Sequence, residues 1–208
     1  RMTDVVVNAV VGPDLVVIDR FVIGDLAGAR FELASGRFDL SGDTPRGTLE
    51  ATLDAETLDG VVALARQVAP ESEVTAWLAR SAPHLTPARL DFRIEAQAAG
   101  GPSYQATVEG TAADTTVRVA ASLTGTLDGW DLAQTTRAID LGSPDTVVLA
   151  RQLGIEVESV TGAGMARLLL DASGVPATGM TARIDPSQLA GLRVSGSGRL
   201  RFDRTGAF

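Results

Sequence analysis

The chain has no cysteine, no lysine, a single histidine and few aromatic side chains. Without cysteine there is no disulfide, no thiolate metal site and no cysteine nucleophile. The one histidine, His84, stands between Pro83 and Leu85. Alone, it supports neither a two-histidine metal site nor a thiol dyad, so a structural loop histidine is expected rather than a general base. The absence of lysine leaves arginine as the only strong cation, a bias that a GC-rich genome explains without any mechanism. With aromatics at 4% of residues, the core must be built from Leu, Val, Ile and Ala, which gives a smooth and poorly selective lining. No apolar run is long enough for a spanning helix, and the stretch from Val5 to Val11 is broken by Asn8. Arg1 precedes Met2, which reads as an excerpt from a longer chain with a signal or membrane anchor upstream.

Clustered positive charge is also lacking. The net charge is −8 and the arginines are scattered among acids, whereas a nucleic-acid backbone is bound by grouped cations that displace its counterions. Nucleic acid is therefore excluded as a partner. Asp54, Glu56 and Asp59, or Asp128 and Asp131, are candidate paired carboxylates. Asp54 is better explained as a helix cap, and Asp128-Gly129-Trp130-Asp131 lacks the spacing of a calcium loop. Gly162-Ala163-Gly164 and Gly196-Ser197-Gly198 each lack the third glycine and following helix of a phosphate-binding turn. Gly196 and Gly198 fall instead on the apolar parity of a strand, where glycine marks a bulge, a bend or close approach of another group. No serine occupies a nucleophile-elbow pattern. Trp77 and Trp130 are isolated and are expected to pack in the core. The expectation is a non-enzymatic protein with no catalytic residue, metal site or cofactor.

What the sequence does contain is alternation. Leu192, Val194, Gly196, Gly198, Leu200 and Phe202 share one parity, with Arg193, Ser195, Ser197, Arg199, Arg201 and Asp203 on the other. Leu90, Phe92, Ile94 and Ala96 alternate in the same way with Asp91, Arg93, Glu95 and Gln97, and similar segments occur at 49–54 and 104–109. Successive strand side chains point to opposite faces, so each segment reads as a strand with one apolar and one wet face. Strands are expected near 4–11, 14–23, 29–41, 46–54, 88–98, 103–110, 114–124, 156–161, 165–172, 178–185 and 191–203, with turn chemistry at Gly12-Pro13, Ser41-Gly42-Asp43, Gly100-Gly101-Pro102, Ala113-Asp114 and Ser173-Gly174.

Two interruptions have helical period. The first spans about 55–69, capped by Asp54 with Leu58, Val61, Val62, Ala65 and Val68 on one face, and is followed by a helix at 73–82 opened by Ser72 and carrying Val74, Trp77 and Leu78. The second spans 144–153, with Ser143 as cap, Pro144 at the first position and Gly154 beyond the end. Leu64-Ala65-Arg66-Gln67 returns as Leu149-Ala150-Arg151-Gln152, Gly47-Thr48-Leu49 as Gly125-Thr126-Leu127, and Ala88-Arg89-Leu90 as Ala166-Arg167-Leu168. These matches predict degenerate strand–helix–strand repeats at about 47–98 and 125–172.

A short motif also recurs: Ala29-Arg30-Phe31-Glu32-Leu33, Ala88-Arg89-Leu90-Asp91-Phe92 and Ala166-Arg167-Leu168-Leu169-Leu170. Together with glycine-punctuated strands such as 36–42 and 192–200, and the Leu53-Asp54-Ala55-Glu56-Thr57-Leu58 lead into a helix, this texture resembles the AsmA-like and TamB-like envelope proteins of Gram-negative bacteria over nearly the whole chain. The resemblance implies a mainly β fold with a few short amphipathic helices, a curved antiparallel sheet forming an open groove of taco or solenoid type. Residues 1–208 would be a single elongated section of a longer chain. It further implies a periplasmic bridge, anchored to the inner membrane, that holds phospholipid acyl chains and serves outer-membrane biogenesis with envelope protein partners. The groove candidates are Leu90, Phe92, Ile94, Leu192, Val194, Leu200 and Phe202. A β-sandwich or solenoid scaffold for protein partners is the alternative.

Overall fold

The computed structural model describes residues 2–42, 44–98, 100–155, 164–189 and 191–201. These form one unclosed, curved antiparallel sheet whose eleven strands lie side by side in chain order. The strands are β1 (Met2–Val11), β2 (Leu15–Leu26), β3 (Ala29–Asp39), β4 (Arg46–Ala55), β5 (Ala88–Gln97), β6 (Ser103–Ala112), β7 (Thr115–Thr124), β8 (Gln134–Ser143), β9 (Ala166–Val175), β10 (Gly179–Leu189) and β11 (Leu192–Leu200). The helices are α1 (Asp59–Val68), α2 (Glu73–Ser81) and α3 (Thr146–Gln152), with a single 3-10 turn at Ala82–His84. The strand expected at 156–161 lies outside the described residues. β8 has little sequence signal: one parity reads Thr135, Arg137, Ile139, Leu141, Ser143, while Ala138 and Gly142 stand on the other, so polarity barely alternates.

Residues paired directly across antiparallel strands share a face, and the register makes the faces continuous. One row runs Leu53, Leu90, Gly110, Val117, Leu141, Leu168; the next runs Ala51, Phe92, Val108, Val119, Ile139, Leu170, Ile184, Gly196. The opposite face carries the charges. All eight ion pairs among the described residues stand there, including Arg89–Asp54, Arg93 with both Glu50 and Glu95, and Arg167–Asp140, at 2.7–3.4 Å. Exposed pairs of this kind each contribute only ~0–1 kcal/mol. They keep that face wet and soluble rather than hold the sheet together.

At one end of the strands the apolar face narrows to a row of small residues: Ala29, Ala55, Ala88 and Ala112 in direct register, continuing through Thr115 and Ser143 to Ala166. All are buried. This row is the seat of the helices. Leu58, Val61 and Val62 of the α1 segment, with Leu78, Ala79, Ala82 and Leu85, pack onto Ile23, Leu26, Ala29, Leu53, Ala55 and Ala88. The approach is so close that a Cβ at Gly60 would fall 2.0 Å from the Leu26 carbonyl oxygen. The recurrent Ala-Arg motif thereby gains a physical meaning. It opens β3, β5 and β9, with its alanine in the helix seat and its arginine turned outward to Glu32, Asp54 or Asp140.

Several helix details differ from expectation. Asp54 is the penultimate residue of β4 and pairs with Arg89, while Leu58 caps α1 without a side-chain bond. Ser143 closes β8, and Asp145 caps α3 by accepting from the Val147 N–H, because strand pairing carries the chain past Ser143 before it turns. Ser72 does cap α2, and Gly154 follows α3 at φ +76°. Val68 and Val74 are exposed, and α2 buries Thr75 and Ser81 instead. Gly125-Thr126-Leu127 lies in the β7–β8 connection rather than in a strand. The second strand–helix–strand unit therefore begins with β8 at Gln134.

α3 joins the helix layer at Gln152. Gln152 donates from its side-chain Nε2 to the carbonyls of His84 and Ala112, and its backbone carbonyl accepts from Trp77 Nε1. Leu149 is fully buried beside it, whereas its sequence counterpart Leu64 is 40% exposed.

Candidate functional site

The candidate site is the apolar face itself. Leu90, Phe92 and Ile94 occupy it on β5, and Leu192, Val194 and Leu200 on β11; register rows cross β6 to β10 between them, with a register shift in β10 after Ile184. Phe202 lies outside the described residues. The six differ in cover: Leu90 and Phe92 pack against the helix-covered core, while Ile94 is 40% and Leu192 70% exposed. Val5, Val7 and Val11 extend the exposed apolar surface onto β1, an edge strand whose Val6 and Val10 are exposed on the other parity.

Gly196 and Gly198 keep the regular alternation of β11. A Cβ at either would meet nothing within 4 Å, so neither marks the close approach expected of them, and the bulge sits in the partner strand between Ile184 and Ser187. Their effect is to leave the apolar face of β11 nearly flat. From β4 to β11 the rows on this face hold a single charged residue, Arg137, with Ala121 on one side and Ala172 on the other. Sequence reasoning missed it because β8 itself was hidden by its weak alternation.

The polar face has features of its own. Thr107, Ser122, Thr136, Ser173 and Thr181 line a shallow depression of about 490 Å³ across β6–β10, with Ser122 Oγ and Thr136 Oγ1 in a 2.6 Å hydrogen bond. The hydrogen bond from Arg167 holds Asp140 below the ordinary carboxylate range, whereas the hydrogen bond with Asp185 pushes Asp171 above it.

The candidates for chemistry do not converge. His84 is exposed on the 3-10 turn and contributes its backbone carbonyl to Gln152. Glu56 and Asp59 are exposed at the start of the α1 segment, and Asp128 and Asp131 belong to the β7–β8 connection. Trp77 is half-buried against α3, but Trp130 is 37% exposed, with exposed Leu127 and Leu132 beside it, because that connection folds back on its own turns rather than under the helices. Gly162 and Ala163 lie outside the described residues. Among the described residues no group of three or more potential metal-ligating side chains occurs, and no helix is long and apolar enough to cross a membrane.

Compared with known proteins, the chain matches no family model, no curated protein and no solved structure.

Proposed function

We propose that this chain is a section of a periplasmic lipid-transport bridge, anchored to the inner membrane in the full-length protein, in which the apolar face holds phospholipid acyl chains. The observation that carries this reading is the persistence of half-exposed aliphatic rows beyond the strand ends on which the helices sit, on a sheet that does not close upon itself. Apolar strand surface needs cover from a second layer, from closure or from a ligand. Acyl chains supply it at ~0.8 kcal/mol per buried methylene without directional bonds. A photo-crosslinking residue replacing Phe92 or Val194 in the full-length protein traps lipid on this reading, while the same probe at Arg93 or Ser195 traps little, since the strand period turns those positions to water. Equal labelling of both faces, or none on either, would reject it.

A scaffold for protein partners is favoured by a different observation. β1 exposes valines on both parities along an unpaired edge, which is the surface that strand addition uses. Crosslinking from Val6 or Val10 to protein, with no lipid trapped at Phe92, would select that reading.

A further inference from the structure

We infer that Arg137 is the headgroup site of this face and that the amphiphile it selects carries a phosphate. The inference rests on the acyl-chain reading above and refines it, because a lining of aliphatic residues alone would not discriminate among lipids. Arg137 is placed by parity between Thr135, whose Oγ1 is spent on the Gly174 carbonyl, and Ile139 of the apolar row. Its cross-strand neighbours are Ala121 and Ala172, and beyond them in register stand Ala106 and Ala182. At ~4.8 Å per strand this alanine strip runs about 19 Å across the sheet, with the guanidinium at its centre. Small side chains on both sides leave room above the strip, and the methylenes of Arg137 can lie along it while the head stays free.

The arginine has no hydrogen-bond or ion-pair partner among the described residues, although eight ion pairs occupy the opposite face. While the face is open, water solvates it. Once acyl chains cover the neighbouring rows, an unpaired guanidinium would be stranded in an apolar surround, which is strongly unfavourable unless an anion arrives with the cover. A phospholipid brings both parts at once, chains for the Val119, Ile139 and Leu170 row and a phosphate whose paired oxygens match the guanidinium fork.

The test loads delipidated full chain from neutral detergent micelles with either phosphatidylglycerol or a diacylglycerol of the same acyl chains, and quantifies by mass spectrometry the lipid retained after repurification. Wild type is expected to retain phosphatidylglycerol at least about tenfold better than diacylglycerol, the effect of a charge-assisted bond in an apolar site. Arg137→Gln should lose that preference while keeping diacylglycerol uptake, Arg137→Lys should recover part of it, and Arg118→Gln on the opposite face should leave it unchanged. Equal retention of the two lipids by wild type, or an undiminished preference in Arg137→Gln, would overturn the headgroup site and leave the acyl-binding face standing. Retention of neither lipid by wild type would overturn both.

Discussion

Under α1 and α2 the apolar face of β2–β5 carries Phe21, Phe31, Phe92, Leu53 and Leu90, packed against helix side chains. Across β6–β11 the same face thins to Ala106, Ala121, Ala172, Ala182, Gly196 and Gly198, interleaved with half-exposed Val, Leu and Ile. The two regions share the same next-neighbour antiparallel topology and strands of similar length, 10–12 residues in β2–β5 and 9–11 in β6–β11. They differ in what lies on the sheet. The first has a conventional core, in which large side chains fill the space between sheet and helix; the second has backbone pairing and a largely uncovered aliphatic surface. A uniform structural scaffold would not be expected to concentrate every described phenylalanine in one half, and Phe21, Phe31, Phe38 and Phe92 all lie in β2–β5.

The largest expected effect breaks the helix layer where it reaches toward the second region. Leu149→Asp places a carboxylate at a fully buried position of α3, and should destabilise by on the order of 4 kcal/mol or more, or prevent folding. Leu64→Asp, at the sequence-matched but exposed position of α1, should leave the melting transition nearly unchanged. Equal losses in thermal denaturation would mean that the two helices are seated alike and that the contrast in burial is wrong. Next in size is Leu53→Ala in the covered region, expected to cost about 2–4 kcal/mol by leaving a cavity under α1. Leu200→Ala in the open region should cost less than ~1 kcal/mol. Denaturant titrations of both variants measure the difference directly, and similar midpoints would erase the distinction between core and open surface.

The sequence makes the strand content legible because parity is a strong signal wherever one face is wet and the other dry. Leu90 to Ala96 and Leu192 to Leu200 could be placed on one face for that reason. β8 was illegible for the complementary reason: its dry-face positions include Arg137 and two hydroxyls, so the strand that carries the most distinctive side chain of the face is also the one with the least periodic sequence. The matched Leu-Ala-Arg-Gln segments misled in another way. Identical residues occupy α1 and α3, yet a helix is oriented by the seat beneath it, and Gln67 is exposed where Gln152 is buried and satisfies two carbonyls. The seat itself, one small residue per strand at the strand ends, has a period equal to the strand spacing, and becomes visible only once the register is known.

The smallest effect sharpens the comparison on the polar face, where two aspartates of adjacent strands behave oppositely. Asp140 is held below its ordinary value by the hydrogen bond from Arg167, so its contribution is present above the unfolded-chain value of about 4 and is lost as the pH falls through the lower folded value. Asp171 is pushed up by its hydrogen bond with Asp185, so its favourable contribution exists below about 4 and disappears as the pH rises through the higher folded value. At neutral pH, therefore, Asp140→Asn should lower the melting temperature slightly and Asp171→Asn should raise it slightly, the amide donating to Asp185 without competing charge. In acid both differences should vanish, because both carboxyls are then protonated in either state. A melting series from neutral to acidic pH checks the signs. If Asp171→Asn were destabilising near neutrality, the two carboxylates would not share a hydrogen bond, and the polar face of β9–β10 would be held by Arg183 pairing alone.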